Sequence, residues 1–361
     1  MKDFKSALRN LCRKFFIDAF TGMALGLFCT LIAGTIVSQI AGWIGTESAA
    51  GRILGDLGAM AKTLMGAGIG IGIAYKLKSP PLVIFSASVA GFAGAFADKL
   101  ILGKFVFAMG FCGNPIGAYI VSLAAVEIVN IYAGKTRFDI LLIPLGTVLV
   151  SMGFVYVAWP FIKLVELFSV GIEAATTVAP FFMGIIIAVV MGVLLTMPTS
   201  SAAIWIAIAL GNNSDSMLLA GGAAVVGCAA QMVGFGVMSY RENGFGGLIA
   251  QGLGTSMLQI PNIMKHPLIL IPPVLTSAIL GPVATCLFHL RCNASGGGMG
   301  TSGLVGVFGT VDASSGILSG FAMWTGIILL LFVLPALLTW VISFYLRKKG
   351  WIKEGDMKLP E

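Results

Sequence analysis

Stretches free of Asp, Glu, Lys and Arg dominate the chain. They cover 19–46, 63–75, 79–97, 105–126, 140–162, 174–214, 216–240, 243–264, 267–290 and 313–346. A helix crossing hydrocarbon needs roughly 20 apolar residues, so most of these stretches are predicted membrane spans. The short breaks between them carry charge. Lys76 and Lys78 sit in one, Lys135 and Arg137 in a second, and Arg241 and Lys265 flank a third. Positive residues mark the cytoplasmic side. With those breaks inside, spans near 19–43, 79–97, 138–160 and 267–290 run outward. Spans near 57–75, 113–133, 176–197, 217–239 and 319–346 run inward. The alternation needs one more outward crossing, and the short apolar segment 199–211 is predicted to supply it as a short or broken helix. The expected total is ten crossings.

Some apolar stretches do not suit an ordinary span. Segments 243–262 and 293–318 are rich in glycine and awkwardly placed, and are predicted re-entrant hairpins; 99–112 is an expected third element of this kind. Non-helical backbone at membrane depth is tolerated only where protein or a wet cavity covers it. Segment 161–175 carries Lys163, Glu166 and Glu173 and reads as an amphipathic helix at the interface. Small residues four apart, at Gly22/Gly26, Gly66/Gly70, Gly68/Gly72 and Gly113/Gly117, predict close helix packing.

Composition agrees with this pattern. Of 361 residues, 58% are hydrophobic and 10% charged, and mean hydropathy is +0.99. A soluble fold has about 25% charged residues and cannot cover its surface with so few. The predicted class is an all-α polytopic membrane protein of about ten transmembrane helices with re-entrant hairpins. A disulfide scaffold, a disordered chain and a coiled coil are excluded. The first apolar run exceeds a signal-peptide core of about 7–15 residues and reads as a retained span.

Net charge is +7, and its placement argues for a membrane surface, not nucleic acid. Lys2, Lys5, Arg9, Arg13 and Lys14 precede the first run; Arg347, Lys348, Lys349, Lys353 and Lys358 follow the last. Both termini are therefore expected in the cytoplasm of a bacterial inner or plasma membrane. The expected organisation is a basic N-terminus over 1–18, a single membrane transport-like domain over 19–346 and a cytoplasmic tail over 347–361. Six cysteines form no C-x-x-C pair and two histidines stand apart, so no metal or redox cofactor is expected. G-x-S-x-G, H-E-x-x-H and Walker A signatures are missing, and no catalytic residue is visible.

The chemistry that remains is polar side chains at membrane depth, which usually face a cavity or a partner. Glu127 interrupts an apolar span, with Asn130 three residues on. It could accept hydrogen bonds from substrate hydroxyls or carry a proton, or it could sit at the inner interface paired with a lysine. Asn114-Pro115 breaks the chain ahead of that span. Thr196-Met-Pro-Thr-Ser-Ser201 combines a helix-breaking proline with hydroxyls, and freed amides at such a helix start suit hydroxylated or anionic ligands. Substrate contacts are expected from Glu127 and Asn114, and from Thr199, Ser200 and Ser201. Asn293–Ser315 packs polar residues among glycines, and Asn293, Ser295, Thr301, Ser302 and Asp312 complete the expected set. Gln231, Gln251 and Gln259 read as helix–helix contacts.

The Thr196–Ser201 break, the Asn293–Gly303 segment and the opening Met23-Ala-Leu-Gly-Leu-Phe28 together resemble the EIIC-like membrane family of the phosphotransferase system. The nearest branch is its stand-alone IIC-type proteins, among them toxin-regulator membrane proteins. The resemblance spans roughly residues 15–346. It implies a ten-helix transport domain with re-entrant hairpins, a homodimer, and a sugar phosphorylated by a partner IIB protein as it emerges. The Gly-Ile-Thr-Glu motif of sugar IIC proteins is not found, and Glu127 would be a substitute without a motif match. IIA and IIB domains are not seen, so phosphoryl transfer would need separate chains. The expected function is a IIC-like permease for a small polar solute, with carbohydrate as the first choice. An ion- or proton-coupled secondary transporter and a ligand-sensing regulator remain as alternatives.

Overall fold

The computed structural model describes residues 11, 13–45, 47–105, 109–197 and 200–359, without the side chain of Phe16. The chain packs as two compact units, Met1–Leu167 and Phe168–Glu361. Among the described residues the regular structure is helical, and pairing is limited to an isolated bridge between Ser315 and Leu318.

The first unit opens with α1 (Ile17–Ile44), followed by α2 (Ala49–Thr63) and α3 (Met65–Lys76). α2 and α3 are bent by 54° and together have the length and apolarity of one span. Then come α4 (Pro81–Ala95), the short α5 (Ala97–Ile101), α6 (Pro115–Asn130) and the first part of α7 (Asp139–Val178). Glycine lets these helices approach to backbone contact. A Cβ on Gly22 of α1 would lie 2.5 Å from the Gly72 carbonyl oxygen of α3. Gly26 meets Gly68 in the same way, Gly66 meets Gly91 of α4, and Gly94 meets Gly117 of α6. The expected small-residue packing is therefore present. The Gly113/Gly117 pair differs, because Gly113 precedes α6 in a left-handed turn with φ of 73°.

The second unit continues from α7 into α8 (Pro180–Thr196), α9 (Ser201–Ala209) and α10 (Asp215–Met238). α11 (Tyr240–Ile249) leads through a π-helical turn at Ala250–Gly254 and a 3-10 turn at Ser256–Gln259 to α12 (Ile260–Lys265). α13 (Pro267–Leu287), α14 (Val305–Ser314) and α15 (Gly320–Lys348) complete it. α10 is its axis, with 89% of its apolar window buried. Gly227 packs on the Ala188 backbone of α8, and Gly221 and Gly222 on the Cys292 and Leu290 carbonyls. Such a helix, small-faced all round, belongs inside a bundle.

Each of the ten predicted spans corresponds to a helix. α1, α7, α10, α13 and α15 are long and apolar enough to cross a membrane, and the α2–α3 pair makes a sixth. α4, α6 and α8 are shorter apolar helices. α9 has 9 residues, about 14 Å at 1.5 Å per residue, which is half the hydrocarbon thickness of about 30 Å.

One expectation is corrected. Segment 161–175 is not a separate interfacial helix but the interior of α7, which runs unbroken for 40 residues. Its charges are neutralised locally. Lys163 Nζ donates to Glu166 Oε2 at 2.6 Å one turn on, and Glu173 Oε2 accepts from Asn212 Nδ2 at 2.8 Å. Segments 243–262 and 293–318, the expected re-entrant hairpins, are each interrupted. Gly244 (φ 59°) interrupts the first, and Leu304 (φ 60°) closes a run of turns ahead of α14 in the second.

Candidate functional site

In the first unit α6 carries the two predicted residues. Asn114 is its N-cap: its Oδ1 accepts from the amides of Ile116 at 2.9 Å and Gly117 at 3.2 Å, with Pro115 in the first helical position. That oxygen serves the helix start. Glu127 Oε2 accepts from Lys14 Nζ at 2.7 Å. The lysine alternative left open by the sequence is thus realised, with a lysine from the basic N-terminal segment. Tyr119, two turns earlier, donates its hydroxyl to the Phe15 carbonyl at 2.6 Å. Glu127 Oε1 is buried and has no partner among the described residues. A cavity of about 300 Å³ also lies in this unit, between α4, α5 and α7. Its walls, among them Val89, Leu100, Val148 and Met152, are apolar, and the Ser151 hydroxyl within it is committed to the Thr147 carbonyl at 2.6 Å. It suits hydrocarbon, not a polar solute.

The second unit gathers most of the predicted residues. Pro198 and Thr199 lie outside the described residues. Ser200 caps α9, its Oγ accepting from the Ala203 amide at 3.1 Å. Ser201 Oγ donates to the Gly298 carbonyl at 2.7 Å and so ties the start of α9 to the glycine-rich segment. The Thr301 hydroxyl donates to the Gly252 carbonyl at 2.6 Å and Ser302 Oγ to Gly254 at 2.9 Å, both in the π-helical turn. Ser295 is buried. Asn293 Nδ2 donates to Asp312 Oδ2 at 2.7 Å, on an exposed face. Ser201, Thr301 and Ser302 therefore hold the segment in place, while Asn293 and Asp312 pair with each other. Every one of these partners is inside the second unit.

Two buried groups in this region have unmet hydrogen-bonding capacity. The Gln231 side chain of α10 is fully buried; its Oε1 lies 3.3 Å from Thr196 Oγ1, and its Nε2 has no partner among the described residues. Thr196 Oγ1 in turn lies 2.9 Å from Ser256 Oγ. Exchanging the amide nitrogen and oxygen would only move the vacancy to the other end, since one side of the carboxamide has a neighbour and the other none. Trp205 of α9 is 1% exposed, and its Nε1 likewise has no partner among the described residues. A Cβ on Gly297 would fall on that indole nitrogen, so only glycine fits there. The Trp205 indole borders the glycine-rich segment at Gly297, and the Gln231 side chain lies against Gly192 and Thr196 of α8. Gln231 precedes Met232, whose sulfur lies 3.6 Å from Thr301 Oγ1.

A buried polar group without a partner costs about 1–3 kcal/mol, and native interiors hold few. Gln231 Nε2 and Trp205 Nε1 are therefore the candidate ligand donors of this region. The sequence singles out Gln231 only as a helix–helix contact and does not mark Trp205, which sits in a run of Ala and Ile.

The sequence matches the family described as Phosphotransferase system, EIIC, over residues 17–359. The chain belongs to that family. At family level it is the membrane permease component of a sugar phosphotransferase system, a multi-pass helical membrane protein. No curated protein and no solved structure matches the chain. The EIIC match reaches past α15 to residue 359, so it takes in the segment 350–359 that follows the last helix. Ile352 and Met357 of that segment are buried against Phe235, Met238, Ile263 and Ile269.

Proposed function

We propose that the second unit binds a neutral, unphosphorylated carbohydrate between α9, α10 and the glycine-rich segment 293–303, and that the protein carries it across the membrane. The observation that carries this reading is the unpaired carboxamide of Gln231 beside Thr196 and Ser256, with the unpaired Trp205 indole at Gly297. Among the described residues the partners of Thr196, Gln231, Ser256 and Thr301 are all neutral. A phosphorylated or ionic ligand would meet no countercharge from them, and burying an unpaired charge is far more costly than burying a hydroxyl. Sugar hydroxyls both accept and donate and the ring oxygen accepts, which suits an amide with one free end and an indole N–H.

In this reading the phosphoryl group comes from a separate IIB protein on the cytoplasmic side, where the tail and both termini lie. The protein works as a homodimer within the membrane, and residues 19–346 form its transport domain. The Lys14 partner favours a structural role for Glu127 over ion coupling. Its remaining unpaired oxygen keeps it among the residues to be tested for substrate contact.

The test is thermal unfolding of detergent-purified protein against a panel of neutral mono- and disaccharides and their phosphate esters. A ligand at 100 times its Kd stabilises by about 2.7 kcal/mol. The expected outcome is stabilisation by a neutral sugar, lost in Gln231→Leu and weakened in Trp205→Phe. Stabilisation only by phosphate esters, or equal stabilisation of wild type and both variants, overturns the proposal.

A further inference from the structure

Residues 351–359 carry Lys353, Glu354, Asp356 and Lys358, a composition that by itself reads as a solvated tail. The structure instead holds this stretch by its backbone. Asn243 grips it at two points: its Nδ2 donates to the Met357 carbonyl at 2.9 Å, and its Oδ1 accepts from the Leu359 amide at 2.8 Å. Gln259 Nε2 donates to the same Met357 carbonyl at 3.0 Å, and Asn262 Nδ2 to the Lys358 carbonyl at 3.0 Å. Glu242 Oε1 accepts from the Gly355 amide and from Arg347, each at 3.1 Å. Met357 is fully buried. Three carboxamides and a carboxylate thus read main chain, while Ile352 and Met357 provide the apolar anchors.

The grip does not end at the surface. Gln259 Nε2 also donates to Gln251 Oε1 at 2.8 Å, and Gln251 Nε2 donates to Ser239 Oγ at 2.8 Å. All three of these side chains are fully buried. Gln251 lies in the π-helical turn Ala250–Gly254. The next residue, Gly252, and Gly254 accept from Thr301 and Ser302 of the glycine-rich segment. A continuous chain of hydrogen bonds and one peptide link therefore joins the Met357 carbonyl to the segment proposed to line the sugar site. Networks of this kind act as a unit, since loss of one member leaves buried groups unpaired.

We propose that residues 351–359 form a releasable strap that locks the glycine-rich segment in its packed arrangement, and that the strap's departure from Asn243, Gln259 and Asn262 is a step in opening the second unit. The strap follows Arg347, Lys348 and Lys349 directly in sequence and is gripped by residues that lie between Arg241 and Lys265, the charges expected on the cytoplasmic side. The opening it controls therefore faces the cytoplasm. The functional meaning of this lock rests on the reading of segment 293–303 as substrate-lining; the mechanical coupling does not.

The test is hydrogen exchange, read by mass spectrometry on the full chain in detergent with no ligand added. Wild type is compared with N243A/Q259A and with Lys353→Gln, which alters an exposed strap side chain only. In the double variant, amides in 250–256 and 296–304 should exchange at least about tenfold faster, while α10 keeps its protection. Lys353→Gln should match wild type. If the strap amides of Gly355 and Leu359 exchange freely while 296–304 is unchanged, the coupling is refuted. Should the double variant not fold, cysteines at Asn243 and Leu359 in a chain freed of its native cysteines provide a second route. Oxidation should slow exchange in 296–304 several-fold, and no change refutes the lock. Because no sugar enters either measurement, failure of the sugar-binding proposal leaves this result readable.

Discussion

Lys14 Nζ and Glu127 Oε2 stand 2.7 Å apart although 113 residues separate them. The contact pins the turn that leads into α1 to the end of α6. Both side chains are partly exposed, at 42% and 29%, so the pair stabilises modestly. Lys14→Met and Glu127→Gln should each cost roughly 0.2–1 kcal/mol. The double variant should cost less than the sum, as a double-mutant cycle of thermal unfolding would read. A sugar response that survives Lys14→Met but vanishes in Glu127→Gln would return Glu127 to the substrate site.

Backbone contact between helices sets a second expectation. A Cβ on Gly227 would strike the Ala188 backbone, whereas Gly153, on the exposed face of α7, has open space around it. Gly227→Ala should destabilise by about 1–3 kcal/mol or prevent folding. Gly153→Ala should be neutral or stabilise by about 0.5–1 kcal/mol, because alanine is the better helix former. Equal effects at the two sites would mean that α8 and α10 do not touch as described.

Gln231 and Gln251 are both buried glutamines of the second unit, yet they should respond oppositely. Gln251 is paired to Ser239, to the Gly247 carbonyl and to Gln259. Gln251→Leu should cost about 1–3 kcal/mol by orphaning those partners. Gln231→Leu removes a group that is already half unpaired, so without ligand its unfolding temperature should stay near wild type or rise. A large loss on Gln231→Leu in ligand-free protein would show that the carboxamide is an internal strut.

The charge pattern predicts a cytoplasmic tail. A single cysteine replacing exposed Lys353, in a chain freed of its native cysteines, should react with a membrane-impermeant maleimide in inverted vesicles and not in intact cells. The reverse labelling would place the tail outside and move the proposed strap to the other face.

What the sequence discloses follows from what its residues cost in a membrane. Most of the apolar helices are readable because the lysine and arginine breaks between them are dear to bury, so charge marks their ends; the short α9 is bounded instead by Pro198 and Asn212–Asp215. α7 escaped that rule. Lys163 and Glu166 cancel one another one turn apart, a pairing that a charge count does not see. Asn114 and Ser200, expected as substrate contacts, sit at helix starts that an Asn-Pro or Pro-Thr-Ser-Ser break makes legible, and their side-chain oxygens cap those helices. Trp205 was hidden because its indole counts as apolar until its N–H is found without an acceptor. The strap was hidden for the opposite reason: Ile352 and Met357 are lone apolar residues in a charged stretch, and what holds them is main chain, which carries no sequence signature.

The all-round burial of α10 has a consequence for how the protein is made. Chains emerge N-terminus first, at about 5–20 residues per second. When α10 leaves the ribosome, α8 is there to receive Gly227, but the partners of Gly221 and Gly222 at Leu290–Cys292, and α13 and α15, have not been synthesised. α10 is apolar enough to cross lipid, but its glycine and alanine faces and its buried Gln231 are shaped for protein contact. It must wait, half-sheltered, for another hundred residues of chain. The second unit is therefore sealed from its far end, and nascent chains stopped before α15 should be handed to membrane proteases while those stopped after α7 retain a finished first unit.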